Sequence, residues 1–595
     1  MDKAQIFINM LSRDIDLAYD VETSGLDWKK CFVCGYALSD GIDSIYVPVR
    51  HHMGGNIENI EQFEQDIAKI IANRTKNLIG HNIKFDYHFS MNHGIILGNK
   101  IKDTMIREAL INENRYSFSL ENVCKNYNII PKKGKDLYEH IARNFGCRPT
   151  RDSMGMFWRL DGSDPIVDDY ARTDVLCTKQ LYDAQQIIIE TEDLQRIDKL
   201  ESELSYVLQK MERRGISVDA EESNKVKIEV EKLYEDAYIK LPLSEIDLTP
   251  MNVRSSKDIK QYLEYMGIED WPITEKGNPS FGKDFLKKFP EGEDILNVRK
   301  LMHFKSSFLD VMDNFIHEGK IHTTFNQAVG ETHGTKSGRL SSNHPNLQQV
   351  PKRDKHLGSM YRKIFKARED SFLIEFDYSQ AEPRLYAHYS DEPVLIKGYN
   401  STPFVDMHDV CAKMMSVTRD FAKSINLGIL YTMGATKLAG HLGIDDKKAY
   451  RVHGMWHNTF KNVSKFTEQA ATVANNRGYV RTILGRRARF PDPRWTYRAA
   501  NRIIQGGSAD IVKYKLVQID KYLEENKLED VCRMLLTIHD SIVFEINDNR
   551  EDLVKEIDKI MCDVSGPPFN LKVPFVSDYK MGKNWSIATY GDTPK

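Results

Sequence analysis

The chain has 595 residues, 41% of them hydrophobic and 28% charged, with a net charge of −3. That length is too great for a single core and implies about three or four domains, and the near-zero net charge confines any nucleic-acid signal to local patches. There is no apolar run near the roughly 18 residues of a membrane span, and the charged N-terminus "MDKAQIFINMLSRDID" lacks a secretion signal, so a cytoplasmic protein without a membrane partner is expected.

In chain order, "LAYDVETSGLD" alternates like a strand and places Asp20 and Glu22 on one face. The CxxC of Cys31 and Cys34 in "KKCFVCGYAL" has no second ligand pair nearby and reads as strand cysteines, not a zinc or redox site. "LIGHNIKFDYHF" carries Asn82 and Asp86 four apart, and "VDDYARTDVLCTKQLYD" is helical, with Tyr170 and Asp174 on one face. Four carboxylates and a tyrosine in this order resemble the DEDDy 3′–5′ exonucleases. The resemblance implies that Asp20, Glu22, Asp86 and Asp174 hold two divalent ions, about 4 Å apart, that clamp a phosphodiester. Tyr170 then orients the attacking water. Hard cations take oxygen ligands, which is why the acids are carboxylates.

Next, Leu194, Ile197, Leu200, Leu204, Val207, Leu208 and Met211 form one helical stripe, which Gly215 should stop. More helical pattern follows through Ala237, so this region reads as α-rich. "SFLIEFDYSQAEPRLYAHYSDEP" then opens as an apolar strand and presents Asp377 at its end, a rigid place for a ligand. "RDFAKSINLGILYTMG" sets Arg419, Lys423 and Leu427 within about 80° on a helix, with Asn426 beside them. Two cations on one face suit a triphosphate, and Tyr431 adds an aromatic face for a base. "LLTIHDSIVFEI" reads as two short strands meeting at a tight turn that holds His539, Asp540 and Ser541.

These three stretches resemble the polymerase motifs of family A, the DNA polymerase I-like enzymes. The resemblance implies that Asp377 and Asp540 share two Mg²⁺ with the backbone carbonyl of Tyr378, Mn²⁺ being able to substitute. It implies Arg419, Lys423 and His408 at the triphosphate, with Gln380, Glu382, Leu427 and Tyr431 lining the nucleotide. Glu382 with Tyr431 would block a 2′-hydroxyl. Arg339, Arg384, Asn501, Gln505 and His539 would touch primer–template DNA, and Lys305, Ser306 and Ser307 would lie near its backbone. "RGYVRTILGRRARFPDPRWTYR" holds seven arginines against one acid and suits duplex phosphates. The chain departs from the family pattern at Ala381, Pro383, Leu427, where an aromatic is usual, and Thr432. Ser541 stands where a glutamate is usual; that acid looks dispensable, and Glu545 is no obvious substitute.

The implied fold is α/β multidomain: an RNase H-like exonuclease domain followed by a right-hand polymerase with helical thumb, antiparallel-sheet palm and helical fingers. The expected divisions are exonuclease 1–192, thumb 193–330, first part of the palm 331–405, fingers 406–512 and C-terminal palm 513–595. The implied activity is template-directed DNA synthesis with 3′–5′ proofreading at two separate sites. A replicative, phage-type monomer is expected, without a 5′-nuclease domain, acting on primer–template DNA and dNTPs in the host cytoplasm. Helicase, primase and single-strand binding protein are the accessory partners such a role implies. Two rivals are a ribonucleotide-using enzyme on the same fold and a nuclease whose polymerase half only holds DNA.

Overall fold

The computed structural model describes residues 2–130, 134–241, 250–328 and 335–591. Gly334 and the expected junction at 330/331 lie outside them.

The N-terminal part is a five-stranded sheet of β1 (Leu17–Thr23), β2 (Val33–Ser39), β3 (Ser44–Pro48), β4 (Leu78–Gly80) and β5 (Ile101–Asp103), in the order β3-β2-β1-β4-β5. β1 pairs antiparallel with β2 and parallel with β4, so it runs through the centre. Helices α1 (Ile83–Met91), α2 (Thr104–Ile111) and α3 (Pro165–Thr191) pack around it. α2 starts where the Asp103 carboxylate accepts the amides of Met105 and Ile106. α3 starts at a capping Asp164 followed by proline, the favoured residue types for those positions.

The apolar stripe becomes α4 (Gln195–Arg214), buried along its length and stopped by Gly215 at φ 61°. β6 (Ile216–Val218) and α5 (Ala220–Tyr238) follow. α6 (Pro290–Phe304) packs on α5. β6 then joins β7 (Ile316–His317), β8 (Lys320–Ile321) and β9 (Phe365–Lys366) in the order β9-β6-β8-β7. The α-rich segment is therefore closed by a strand from the expected palm.

The C-terminal half contains β10 (Ser371–Tyr378), α7 (Ala381–Ser390), α8 (Met407–Met415), α9 (Arg419–Leu430) and α10 (Lys461–Arg477). A short hairpin follows, β11 (Tyr479–Arg481) with β12 (Arg487–Arg489), and then the long α11 (Ala499–Glu525). The boundary expected at 512/513 falls inside α11, which is unbroken there. β13 (Cys532–Ile538), β14 (Ser541–Asn547) and β15 (Ser577–Gly582) complete an antiparallel sheet with β10, in the order β13-β14-β10-β15. No described helix is long and apolar enough to cross a membrane.

Candidate active sites

Two carboxylates meet at one end of the C-terminal sheet because of strand register. Asp377 on β10 lies opposite Ser541 on β14. Ile538 pairs with Ser541, so His539 and Asp540 form a two-residue turn. His539 takes φ 54° there, and the Tyr378 amide donates to the Asp540 carbonyl at 3.3 Å. Asp540 Oδ1 accepts from Ser508 Oγ of α11 at 3.1 Å, with Arg339 at 3.8 Å. Partial burial raises the Asp377 pKa above the ordinary carboxylate range, and the nearby charges of Glu375 and Asp540 add to this, against the pull of Lys352. Burial works against the Lys352 ammonium, but Glu375 and Asp377 hold it above its usual range. Ser541 turns its hydroxyl to the Ile538 carbonyl at 3.0 Å. Glu545 is buried and holds Arg368 at 2.5 Å, so it does not replace the missing acid.

A charged bridge spans this site. Arg339 Nη2 donates to Glu382 Oε1 at 2.5 Å, and the Tyr431 hydroxyl donates to Glu382 Oε2 at 2.9 Å. Partial burial and the Glu382 charge push the Tyr431 hydroxyl up to about 12. Burial and Asp540 raise Glu382, with Arg339 opposing. Arg339, Tyr431, Asn501 and Gln505 line one open cleft with Lys336 and Arg498. Lys423 is exposed on α9, and Leu427 is half-buried one turn before Tyr431.

In the N-terminal half, Asp20 and Glu22 project from one face of β1. Asp86 is buried on α1, with Oδ1 accepting the Val21 amide at 3.0 Å. Tyr170 and Asp174 share a buried face of α3. Burial drives the Asp86 carboxyl well up, and the charges of Asp20 and Asp174 add to this. These three acids are thus electrostatic neighbours despite their separation in sequence. Cys34 is buried in β2 and its thiol is pushed up by burial, as expected of a strand cysteine.

Residues 219–587 match the family described as DNA polymerase family A, and residues 1–190 match the 3′–5′ exonuclease family. The chain belongs to DNA polymerase family A. It is 30% identical to DNA polymerase DpoZ of Salmonella phage PMBT28, over 97% of this chain and 98% of that protein. It is 31% identical to DpoZ of Acinetobacter phage SH-Ab 15497 over the same shares. DNA polymerase I of Synechocystis sp. is 29% identical over 97% of this chain, which spans 60% of that protein. The fold matches the POL domain of Pol1 from M. smegmatis, solved in complex with DNA primer-template and dNTP, with TM-score 0.80, 22% identity and 98% of each chain covered. The family A polymerase described here is therefore a DNA-directed DNA polymerase that carries a 3′–5′ exonuclease domain.

Several residues expected at ligands are engaged by other groups of the polymerase. Arg384 is buried, donating to the carbonyls of Ser379 at 2.9 Å and Pro574 at 2.6 Å, with Tyr399 and Phe404 against its guanidinium. It braces the core instead of facing DNA. Asn426 is turned into the core, where it accepts from Trp456 Nε1 at 2.7 Å and donates to His408 Nδ1 at 2.9 Å. His408 is buried behind it, and burial lowers its pKa. Arg419 is tied to Asp406 at 2.5 Å and Asp409 at 2.9 Å. Gln380 is locked between Asp406 and the Tyr399 hydroxyl. Lys305 pairs with Glu231 at 2.8 Å.

The hairpin arginines of the arginine-rich segment also face inward, whereas Arg477, Arg494 and Arg498 are exposed. Arg481 pairs with Asp193 at 2.6 Å, Arg487 with Glu192 at 2.9 Å, and Arg489 with Glu113 at 3.1 Å and Glu192 at 2.5 Å. Arg486 is buried on Glu201 and on Asp510 at 2.8 Å. The hairpin docks on acids at the α3–α4 junction, so these four cations serve the domain interface and not duplex phosphates. Arg494 bonds its neighbour Asp492. Arg498 stacks on Trp495 at the cleft wall. Sequence reasoning missed Lys352, Ser508 and Lys336; no local pattern distinguishes them from other polar residues.

Family A chemistry is metal-dependent, and the donor sets fit that requirement. Both are oxygen-only, the combination that hard divalent cations select. Among the described residues no three acid, His or Cys groups are spaced to hold an ion as they stand. The raised pKa of Asp86 comes first from burial and then from the charges of Asp20 and Asp174, and a cation there would offset both.

Proposed function

We propose that this polymerase extends primer 3′ ends at Asp377 and Asp540 and removes mispaired ends at Asp20, Glu22, Asp86 and Asp174. The observation that carries the reading is the meeting of Asp377 and Asp540 at one sheet end, beside the cleft lined by Arg339, Tyr431, Asn501 and Gln505. Asp377, Asp540 and the Tyr378 carbonyl would hold two Mg²⁺, and the four exonuclease acids another two. When bound, such ions lower the pKa of the attacking oxygen and stabilise the leaving one.

The chain's own groups do the rest. Lys423, exposed on α9, meets the triphosphate, with Arg419 joining once it leaves Asp406 and Asp409. Tyr431 receives the base and Glu382 faces the sugar, while Leu427 borders the same pocket. Asn501, Gln505, Arg339 and His539 contact primer–template DNA. Tyr170 orients the hydrolytic water in the exonuclease. We keep the division into exonuclease, thumb, split palm and fingers, with α11 spanning the last two. The phage DpoZ relatives support a role in DNA replication, in the compartment that holds DNA and dNTPs and with helicase, primase and single-strand binding protein as partners of a monomer.

Primer extension with matched and mismatched 3′ ends tests both sites at once. Asp540→Ala should abolish extension and leave 3′ degradation; Asp20→Ala should do the reverse. Loss of both activities in either variant refutes two independent sites. Parallel dNTP and NTP reactions separate this reading from a ribonucleotide-using enzyme.

A further inference from the structure

Lys352 is placed against the carboxylate on which the polymerase site depends. Its Nζ donates to Asp377 Oδ2 at 2.8 Å and to Glu375 Oε1 at 2.9 Å. Glu375 and Asp377 alternate along β10 and project from the same face. Glu375 is 4% exposed. Its second oxygen accepts from Trp585 Nε1 at 3.0 Å and Thr589 Oγ1 at 2.6 Å. Held from both sides, Glu375 is a fixed counter-ion that keeps the lysine on this face. Directly across from Asp377 stands Ser541, whose hydroxyl is committed to the Ile538 carbonyl. On the other side Asp578 of β15 lies opposite Asp377, and the ion pair that Asp377 itself makes is with Lys352, while the Asp377 side chain remains 45% exposed.

We propose that Lys352 is a positioning residue for metal binding: its ammonium, tethered by Glu375, occupies Asp377 in the free enzyme and yields that oxygen to a divalent ion. The inference rests on Asp377 being a metal ligand, as proposed above. An ammonium and a divalent cation on one carboxylate oxygen repel each other. The tether makes the lysine an intramolecular competitor at high effective concentration. Free-enzyme affinity for the ion is therefore held down. The anionic oxygens of an arriving triphosphate offset the lysine, so the ion is retained best when nucleotide comes with it.

The test is Mn²⁺ binding to the full chain without DNA or nucleotide, read from the electron paramagnetic resonance signal of free Mn²⁺. Asp20→Asn and Asp86→Asn are present throughout to silence the exonuclease acids. Lys352→Met should bind Mn²⁺ roughly three- to tenfold tighter, whereas Lys352→Arg should match the parent. Lys352→Met combined with Glu375→Gln should also bind tighter, and it guards against misfolding from an unpaired Glu375. Primer-extension assays should show a lower apparent KM for Mg²⁺ with little change in kcat. Unchanged or weaker Mn²⁺ binding in both Met variants overturns the proposal. So does a raised KM for primer with Mn²⁺ binding unaltered, since that marks a lysine that grips DNA. Asp377→Ala separates the two levels. If it fails to weaken Mn²⁺ binding, the metal-ligand reading of Asp377 falls; if it weakens binding while the Met variants do not tighten it, only the role of Lys352 falls.

Discussion

Arg489 donates to Glu113 at 3.1 Å and so fastens the β11–β12 hairpin of the catalytic half to the exonuclease domain. Glu192 receives both Arg489, at 2.5 Å, and Arg487, at 2.9 Å. Arg487 also stacks over Tyr479, 4.2 Å from the ring centroid. One acid at the end of α3 thus holds two cations from the far half of the chain.

Replacing Arg487 and Arg489 by alanine should loosen this junction without weakening DNA binding. Hydrogen exchange should accelerate in residues 479–489 and around Glu113. Primer affinity should stay within about twofold and its salt dependence should not change. A steep loss of affinity with a shallower salt slope would return these arginines to the duplex.

Glu201→Gln should cost about 3–5 kcal/mol, the cost of leaving buried charge uncompensated. Glu201 is 1% exposed. It accepts from Lys513 at 2.6 Å, Gln327 at 2.7 Å and Arg486. Burial opposes its ionisation, yet Lys513 and Arg486 hold it down to about 2. Equilibrium unfolding in urea should show the lower midpoint at an unchanged slope. Adding Lys513→Met should recover part of the loss, because the orphaned ammonium goes too.

Both arginine results mark the limit of reading charge along a sequence. The partners of residues 481–489 are Glu113, Glu192, Asp193, Glu201 and Asp510, and none adjoins the segment in sequence. Local density therefore revealed the cations but not what faces them. Period-based inferences fared better. Alternation placed Asp20 and Glu22 on β1, and the i,i+4 spacing placed Tyr170 and Asp174 on α3. The pairing of β13 with β14 turns at His539 and Asp540, as the two apolar runs suggested. A helical wheel gives angles on α9 but not which arc meets the core: Asn426, beside Lys423 on the wheel, points at Trp456. Arg384 came to the DNA by resemblance alone, and a guanidinium can cap carbonyls inside as well as phosphates outside.

Acid should destabilise the exonuclease domain through Glu64. This carboxylate accepts from Arg50 at 2.7 and 2.8 Å and from the Tyr36 hydroxyl at 2.7 Å. Burial works against its charge, but His93, Arg50 and Tyr36 bring it from 4.5 down to about 2. A folded-state pKa below the unfolded one stabilises fully above the unfolded value. That stability is lost as pH falls from about 4.5 toward about 2. Thermal unfolding across this window should show a drop worth about 2–3 kcal/mol, and Glu64→Gln should flatten it.

Leu427 sits one turn before Tyr431, whose amide donates to its carbonyl at 2.9 Å. In the proposed nucleotide pocket, a tyrosine here would bring a hydroxyl able to replace a hydrogen bond from the sugar 3′-hydroxyl. Leu427→Tyr should raise use of dideoxynucleotides relative to deoxynucleotides by about tenfold, with a changed extension rate. Leu427→Phe separates ring from hydroxyl. Single-turnover incorporation measures both, and equal values for all three proteins would place residue 427 away from the sugar.

Glu382 carries the sharpest prediction for the sugar side of the pocket. Its two oxygens are taken by Arg339 at 2.5 Å and Tyr431 at 2.9 Å, which fixes the carboxylate between them. In the proposed nucleotide pocket, a side chain so held would be a rigid wall for a 2′-hydroxyl. Glu382→Ala should therefore cut the preference for dNTP over NTP by about tenfold or more. Glu382→Gln keeps the volume but weakens the bond to Arg339, which also lies 3.8 Å from Asp540. If only the alanine variant admits ribonucleotides, the wall is steric; if glutamine does as well, the ion pair with Arg339 holds it in place. Retained discrimination in both would remove Glu382 from the pocket.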